Sequence, residues 1–292
     1  MAYGKGGRDR GRHGRREEGP RRRESEMDRR MRFIKKARER TTEALRSRDI
    51  MLVQLSKSVE ELEKIANVMG EKLEELYGLY FPELRLQDKR SFASVVVVFD
   101  KDSPDAKALA DVVGEPKAAE IAEKAKGSMG GELQPKDVEK IREMAREIKS
   151  IYSLIDTYED YTEELSKEVC PNLQYLAGGK LAGKLVAAAG SLKKLSLMPA
   201  STVQVLGAEK ALFKHLKSKG RIAPPKHGLI FQHPEVSQSP KAQRGKIARA
   251  LAAKLSIAAK ADAQTKRFIG PLLKESFEKR LEKIRGSKGK KE

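Results

Sequence analysis

The sequence predicts a mainly α protein, an extended antiparallel coiled-coil arm joined to a compact all-α domain, and three observations carry that expectation. Charged residues make up 35% of the chain and aromatics only 5%, with no Trp. Such a composition suits long solvated helices better than sheets, where aromatic and β-branched side chains collect. Two stretches repeat apolar residues at alternating three- and four-residue steps, and alanine-rich segments broken by prolines fill the last third.

The first seam is Leu52, Leu55, Val59, Leu62, Ala66, Met69, Leu73 and Leu76, in a stretch from Met27 to Tyr80 with few helix breakers. The second is Ile141, Met144, Ile148, Ile151, Ile155, Tyr158, Thr162 and Leu165. Apolar positions stepping by three and four form a heptad stripe. Two matched stripes in one chain predict an intramolecular antiparallel pair, the arm, over 27–169. Its tip is an insertion at 82–135, bounded by Pro82 and by Gly127, Gly130, Gly131 and Pro135. Within the tip, Ser94–Phe99 (SVVVVF) fits a short buried strand or a helix fragment equally well, and Asp105–Lys126 reads as one or two short helices.

A second domain is expected over 170–285, opening at Cys170-Pro171. Its stretches LAGKLVAAAG and KIARALAAKLSIAAKADA have high helix propensity and are punctuated by Pro199, Pro224, Pro225, Pro234, Pro240 and Pro271. Residues 1–26 are rich in Gly and Arg with almost nothing apolar, and read as a disordered basic tail; 286–292 read as a second basic tail.

The net charge of +19 is unevenly spread. Residues 201–292 hold 22 basic and 7 acidic groups, which is +15 of the total. A skew of that size marks a domain that meets a polyanion, nucleic acid first. The single cysteine, Cys170, excludes an internal disulfide framework and is expected to be a packing residue. With no apolar run near 18 residues and no signal-peptide core, the reading is a soluble chain of a reducing compartment. That means the cytoplasm of a prokaryote, or the nucleus or nucleolus of a eukaryote.

Catalytic signals are thin. Gly178–Lys184 (GGKLAGK) matches the start of a phosphate loop, but Leu185 follows where Ser or Thr would hold magnesium, so the glycines are read as allowing close helix packing. The histidines are His13, His215, His227 and His233, without the tight Cys/His spacing of a zinc site. No nucleophile elbow, dinucleotide fingerprint or carboxylate pair appears. No enzyme, cofactor or metal is expected.

The densest signal lies in 199–254 and just beyond, in PASTVQVLGAEKALFKHLKSKG, PPKHGLIFQHP and SPKAQRGKIARALAAKLSIAAKADA. These segments resemble the Nop domain, the core of box C/D guide ribonucleoproteins for ribose 2′-O-methylation and of a related spliceosomal particle. The preceding CPNLQYLAGGKLAGKLVAAAGSLKKLSLM resembles that family's lead-in helices. LEELYGLYFPEL and Lys126-Gly-Ser-Met129 resemble its landmarks in the arm, so the likeness covers roughly 30–265.

What the resemblance implies is an RNA-binding scaffold that joins a kink-turn RNA already held by a small kink-turn-binding protein of the ribosomal L7 type. The motif positions are Gly207, Ala208, Glu209 and Phe213. Lys210, Lys226, His227, Arg244, Lys246 and Arg249 are expected to face RNA, with Lys214 closing an ALFK segment where archaeal relatives carry ALFR. Lysine there keeps the charge but loses the planar fork.

Two of these placements also have a physical argument from the residues. Arg244, Lys246 and Arg249 fall within six residues, so a helix is expected to align them along one edge against successive phosphates. His227, in a loop opened by Pro224 and Pro225, is placed to stack on an unpaired base. For each lone cation the competing reading is a solvated helix face. In the family's guide particles the arm pairs two copies, which implies self-association. About 26 polar residues stand where such members carry a fibrillarin-docking domain, so fibrillarin is not expected as a direct partner. The competing function is a coiled-coil interaction protein with nonspecific RNA or ribosome association.

Overall fold

Helix-capping chemistry and the two apolar seams set out the chain. The computed structural model describes Met1, residues 25–103 and residues 105–286; most of the two expected tails, and Pro104, lie outside these. All regular structure among the described residues is helical, without a strand. None of these helices is long and apolar enough to cross a membrane.

Two units divide at residue 46. The first contains α1 (Glu26–Arg46). Its start is fixed by Ser25, whose hydroxyl accepts the Asp28 N–H at 3.1 Å while the Asp28 carboxylate accepts the Ser25 N–H at 3.3 Å. This reciprocal cap satisfies two otherwise orphaned donors.

The second unit begins at Ser47, the extended N-cap of α2 (Arg48–Tyr77). The long breaker-poor stretch expected from Met27 to Tyr80 is therefore two helices, interrupted where Ser47 leaves helical geometry. Helix α2 packs along α6 (Pro135–Val169). Leu52 of α2 shares an apolar cluster with Leu165 and Val169, whereas Leu73 shares another with Val138 and Ile141. The start of each helix thus lies against the end of the other, which is the antiparallel pairing the seams predict.

At the tip stand α3 (Lys89–Val98), α4 (Ala106–Val113) and α5 (Glu115–Lys126). The valine run is helical because the Asp88 carboxylate accepts the Ser91 N–H at 2.9 Å, capping α3. Tertiary burial of Phe92, Val95, Val96 and Phe99 then outweighs the strand preference of Val. The tip core is aromatic: the Tyr77 ring meets Tyr80, Phe81 and Phe92 edge-on, with centroids 5.7, 6.5 and 6.0 Å away. A Cβ on Gly130 would lie 1.9 Å from the Tyr80 carbonyl oxygen, so the Lys126–Gly131 loop closes on this core only with glycine there.

After Cys170 come α7 (Pro171–Ala177), α8 (Gly179–Ala189), α9 (Leu192–Leu197), α10 (Ala200–Val205) and α11 (Glu209–Lys217). A 3-10 turn at Leu229–Gln232, α12 (Pro234–Ser237), α13 (Lys241–Lys260), a π-helical turn at Ala261–Thr265 and α14 (Gly270–Gly286) complete the unit. All of these but α11 contribute to one largely aliphatic cluster with the base of the α2–α6 pair, including Leu185, Val186, Ile247, Leu251 and Leu255. The phosphate-loop lookalike is the body of α8. A Cβ on Gly183 would stand 2.5 Å from the Ser56 hydroxyl and 3.0 Å from Thr162, so its glycine serves the close approach of α8 to α2 and α6. Cys170 is fully buried, and burial pushes its thiol well above the ordinary value, as suits a packing residue.

Candidate nucleic-acid interface

The loop carrying His227 is fixed by backbone before any side chain is considered. Its Gly228 and Leu229 N–H groups donate to the carbonyls of Gln204 at 2.9 Å and Leu206 at 2.8 Å, at the end of α10. A Cβ on Gly228 would lie 2.0 Å from the Leu206 oxygen, so no larger residue permits this approach. The Gln204 side-chain amide donates to the Lys226 carbonyl at 2.7 Å, holding the other end of the loop. Gly207, with φ +85°, turns the chain from α10 toward α11, and the side chain of Leu229 fills the space beside it.

On this frame the His227 ring lies on Phe231, the centroids 4.6 Å apart and the planes 14° from parallel. The Arg244 guanidinium lies over the same Phe231 ring, 5.3 Å from its centroid. Its Nε donates to the Ser239 carbonyl at 2.8 Å and its Nη2 to the Ser237 carbonyl at 3.0 Å. Phe231 therefore contacts both a cation and the imidazole. Burial lowers the His227 pKa below the usual histidine value, helped by the charges of Arg244 and Lys226. The half-buried imidazole is thereby biased toward its neutral form, a flat plate beside Arg244 and Lys226.

Lys226 runs its aliphatic stem past Gly245 of α13, where a Cβ would stand 3.6 Å from it. Lys226, His227, Phe231 and Arg244 thus meet at one place. Lys246 and Arg249 do not join them. At about 100° per residue, Lys246 is turned roughly 200° and Arg249 roughly 140° from Arg244 around the helix axis. Both instead line a groove between α13 and α14. The expected single edge of three cations is corrected accordingly: Arg244 points back toward the 3-10 turn and the carbonyls ending α12, while its two neighbours point to the groove.

The GAEK and ALFK positions lie on α11. Ala208 caps the helix, and the Glu209 carboxylate accepts the Gly207 N–H at 2.7 Å. No side chain of α11 is buried. Phe213 and Lys214 each stand about one helical turn beyond Lys210, and Phe213 is 61% exposed.

Sequence reasoning missed Phe231 and Gln204, which position His227. Phe231 follows His227 by four residues inside PPKHGLIFQHP, which was the available signal, but nothing in the spelling says that its ring meets both a histidine and an arginine. His233 has a structural duty: Nε2 donates to the Leu176 carbonyl at 3.1 Å and Nδ1 accepts the Glu235 N–H at 3.2 Å. With both nitrogens engaged, its ring caps α12 and meets Phe277 edge-on.

Comparison with known proteins bears on this geometry. Residues 58–283 match the Nop family, described as "snoRNA binding domain, fibrillarin". An uncharacterized NOP5 family protein of Methanocaldococcus jannaschii is 44% identical over 241 residues, covering 82% of this chain and 58% of that protein. Nucleolar protein 58 of Neurospora crassa is 35% identical over 218 residues, covering 74% of this chain and 36% of that protein. A chain from the crystal structure of a fibrillarin/Nop5p complex is 29% identical, with a TM-score of 0.44, covering 87% of this chain and 78% of that one. The chain therefore spans 58% or less of the length of these two relatives.

Proposed function

The chain belongs to the Nop-domain family, and from that premise we propose that it is a non-enzymatic RNA-binding scaffold for a box C/D-type or other kink-turn RNA. It joins that RNA together with a kink-turn-binding protein of the ribosomal L7 type, so that the two proteins complete one RNA site. The observation that carries the reading is the His227 ring stacked on Phe231, with Arg244 over the same Phe231 ring and Lys226 beside it. An aromatic face beside fixed positive charge is what a splayed base and its phosphate require. Lys226 supplies the mobile charge, and Arg244 acts through Phe231. Lys210 and Lys214, exposed on α11 next in the chain, extend the charged surface toward the RNA.

The arm is the element for pairing with a second copy, as its resemblance to guide-particle scaffolds implies. Fibrillarin belongs among the partners to be tested. The matched family's own description names it, and that leans against leaving it out. The setting follows the relatives: nucleolar in a eukaryote, cytoplasmic in an archaeon.

The deciding measurement is gel-shift binding of the full chain to a box C/D kink-turn RNA with and without the L7-type protein. A ternary complex is expected that forms at least tenfold more tightly than either binary complex, and His227→Ala is expected to abolish that gain. Equal affinity for the kink-turn RNA and a length-matched duplex, unchanged by His227→Ala, would leave only nonspecific RNA association.

A further inference from the structure

The groove between α13 and α14 lies on a different face of α13 from Arg244. Its charged lining is Lys246, Arg249 and Lys254 from α13 and Lys279, Arg280 and Lys283 from α14, without a carboxylate among the lining residues. Ala250 and Ala253 form its floor. Helix α13 contains no acidic residue at all, so its side of the groove is unopposed cation.

Helix α14 is not acid-free, and the placement of its acids is the informative part. Around its axis Lys279, Arg280 and Lys283 occupy a sector of about 100°, while Glu275, Glu278 and Glu282 occupy a separate sector of about 60°. The cations turn to the groove and the acids to the neighbouring solvent-facing sector, outside the groove lining. Glu275 reaches only Lys279, at 2.5 Å, as an exposed pair one turn apart, and such pairs contribute little and yield readily to a stronger anion. Lys254 donates to the Ser276 hydroxyl at 2.7 Å, a neutral partner that leaves its charge uncompensated. Six cations held along two packed helices repel one another, a cost that the single exposed Glu275–Lys279 pair relieves in part and a bound polyanion would offset.

We propose that this groove is a second RNA contact, a track for the sugar-phosphate backbone of a single-stranded segment, read without regard to sequence. It rests on the RNA-scaffold reading above and adds to it a separate surface. The small alanine floor lets a backbone lie close, and the lining contains no aromatic side chain on which a base would stack. Contacts made only to phosphates position a strand and carry no sequence information. The His227 loop and the groove therefore divide the work, one holding a base and the other holding charge.

The test uses the full chain and a fluorescent 20-nucleotide polyuridylate, with affinity measured from 50 to 200 mM salt. The triple variant Lys279→Gln, Arg280→Gln, Lys283→Gln removes exposed groups and is expected to fold, as its melting curve will check. Each phosphate contact on a single strand contributes about 0.7 to the slope of log affinity against log salt, so the variant is expected to lower that slope by about 2. A control with the same loss of three positive charges on α6, Lys136→Gln, Lys140→Gln, Lys149→Gln, and the variant His227→Ala are both expected to keep it. An unchanged slope in the triple variant, or an equal drop in the α6 control, overturns the groove. So does polyglutamate of equal charge displacing polyuridylate as well as unlabelled polyuridylate does. Loss of kink-turn preference with the slope effect intact rejects the previous section's reading and leaves the groove standing. A normal ternary complex with no slope effect does the reverse.

Discussion

The His227 loop and the α13–α14 groove are both cationic, yet they are built on opposite principles. In the loop all but the Lys226 ammonium is tied: backbone to α10, imidazole to Phe231, guanidinium to two carbonyls. In the groove the cations are side chains on regular helices, with one exposed ion pair and one hydroxyl contact among them. Substitutions in the loop should therefore act on the fold as well as on binding, whereas those in the groove should act on binding alone.

The largest contrast is between two glycines. Gly228→Ala drives a methyl group into the Leu206 carbonyl and should cost about 3 kcal/mol, a value reserved for forced backbone displacement. Gly245→Ala, on the groove-bearing helix, meets only the Lys226 stem at ordinary contact distance and gains helix propensity. It should stabilise by up to about 1 kcal/mol. Urea unfolding of both variants checks the pair, and a harmless Gly228→Ala would show that the loop is not pinned as described.

Next in size is Arg244→Lys. A lysine keeps the charge but cannot serve both Ser237 and Ser239 carbonyls while staying over Phe231. A loss of about 1–2 kcal/mol is expected, with little change in the salt dependence of RNA binding. Lys246→Gln two residues later should change stability by less than about 0.5 kcal/mol while lowering the salt slope. Equal stability losses at the two positions would erase the distinction between a tied and a free cation.

These contrasts also mark what was legible in the sequence. The antiparallel packing of α2 on α6 was readable because heptad spacing is a direct consequence of helix geometry, and Leu52, Leu55, Val59, Ala66 and Leu73 are indeed buried. The valine run was ambiguous because strand propensity and helical burial oppose each other there; Asp88 and the aromatic core decide it. The break at Ser47 had a signal in Ser-Arg-Asp. The Asp49 carboxylate accepts both the Ser47 hydroxyl at 2.5 Å and the Leu192 N–H at 3.0 Å, a contact 143 residues away that no local pattern displays. At the interface, residue types were readable but directions were not. Arg244, Lys246 and Arg249 look alike in a string, and only the fold turns one inward and two toward α14.

The smallest expected effect separates the two surfaces by pH. His227 is held below the ordinary histidine value by burial and then by Arg244 and Lys226, and His233 is lowered chiefly by burial. For a group whose folded pKa is depressed, the unfolded chain takes up its proton first as pH falls. Stability is then full above about pH 6.5, declines as pH drops from there toward the folded pKa, and levels off below it. His227→Gln should narrow the stability difference between pH 7.5 and pH 5.5 while leaving the His233 share in place. Lys279→Gln, in the groove, should leave that difference as in the unmodified chain, because lysine does not titrate in this window. If His227→Gln preserves the full acid-side decline, the imidazole is not buried against Phe231 in solution, and the plate on which a base would rest is absent.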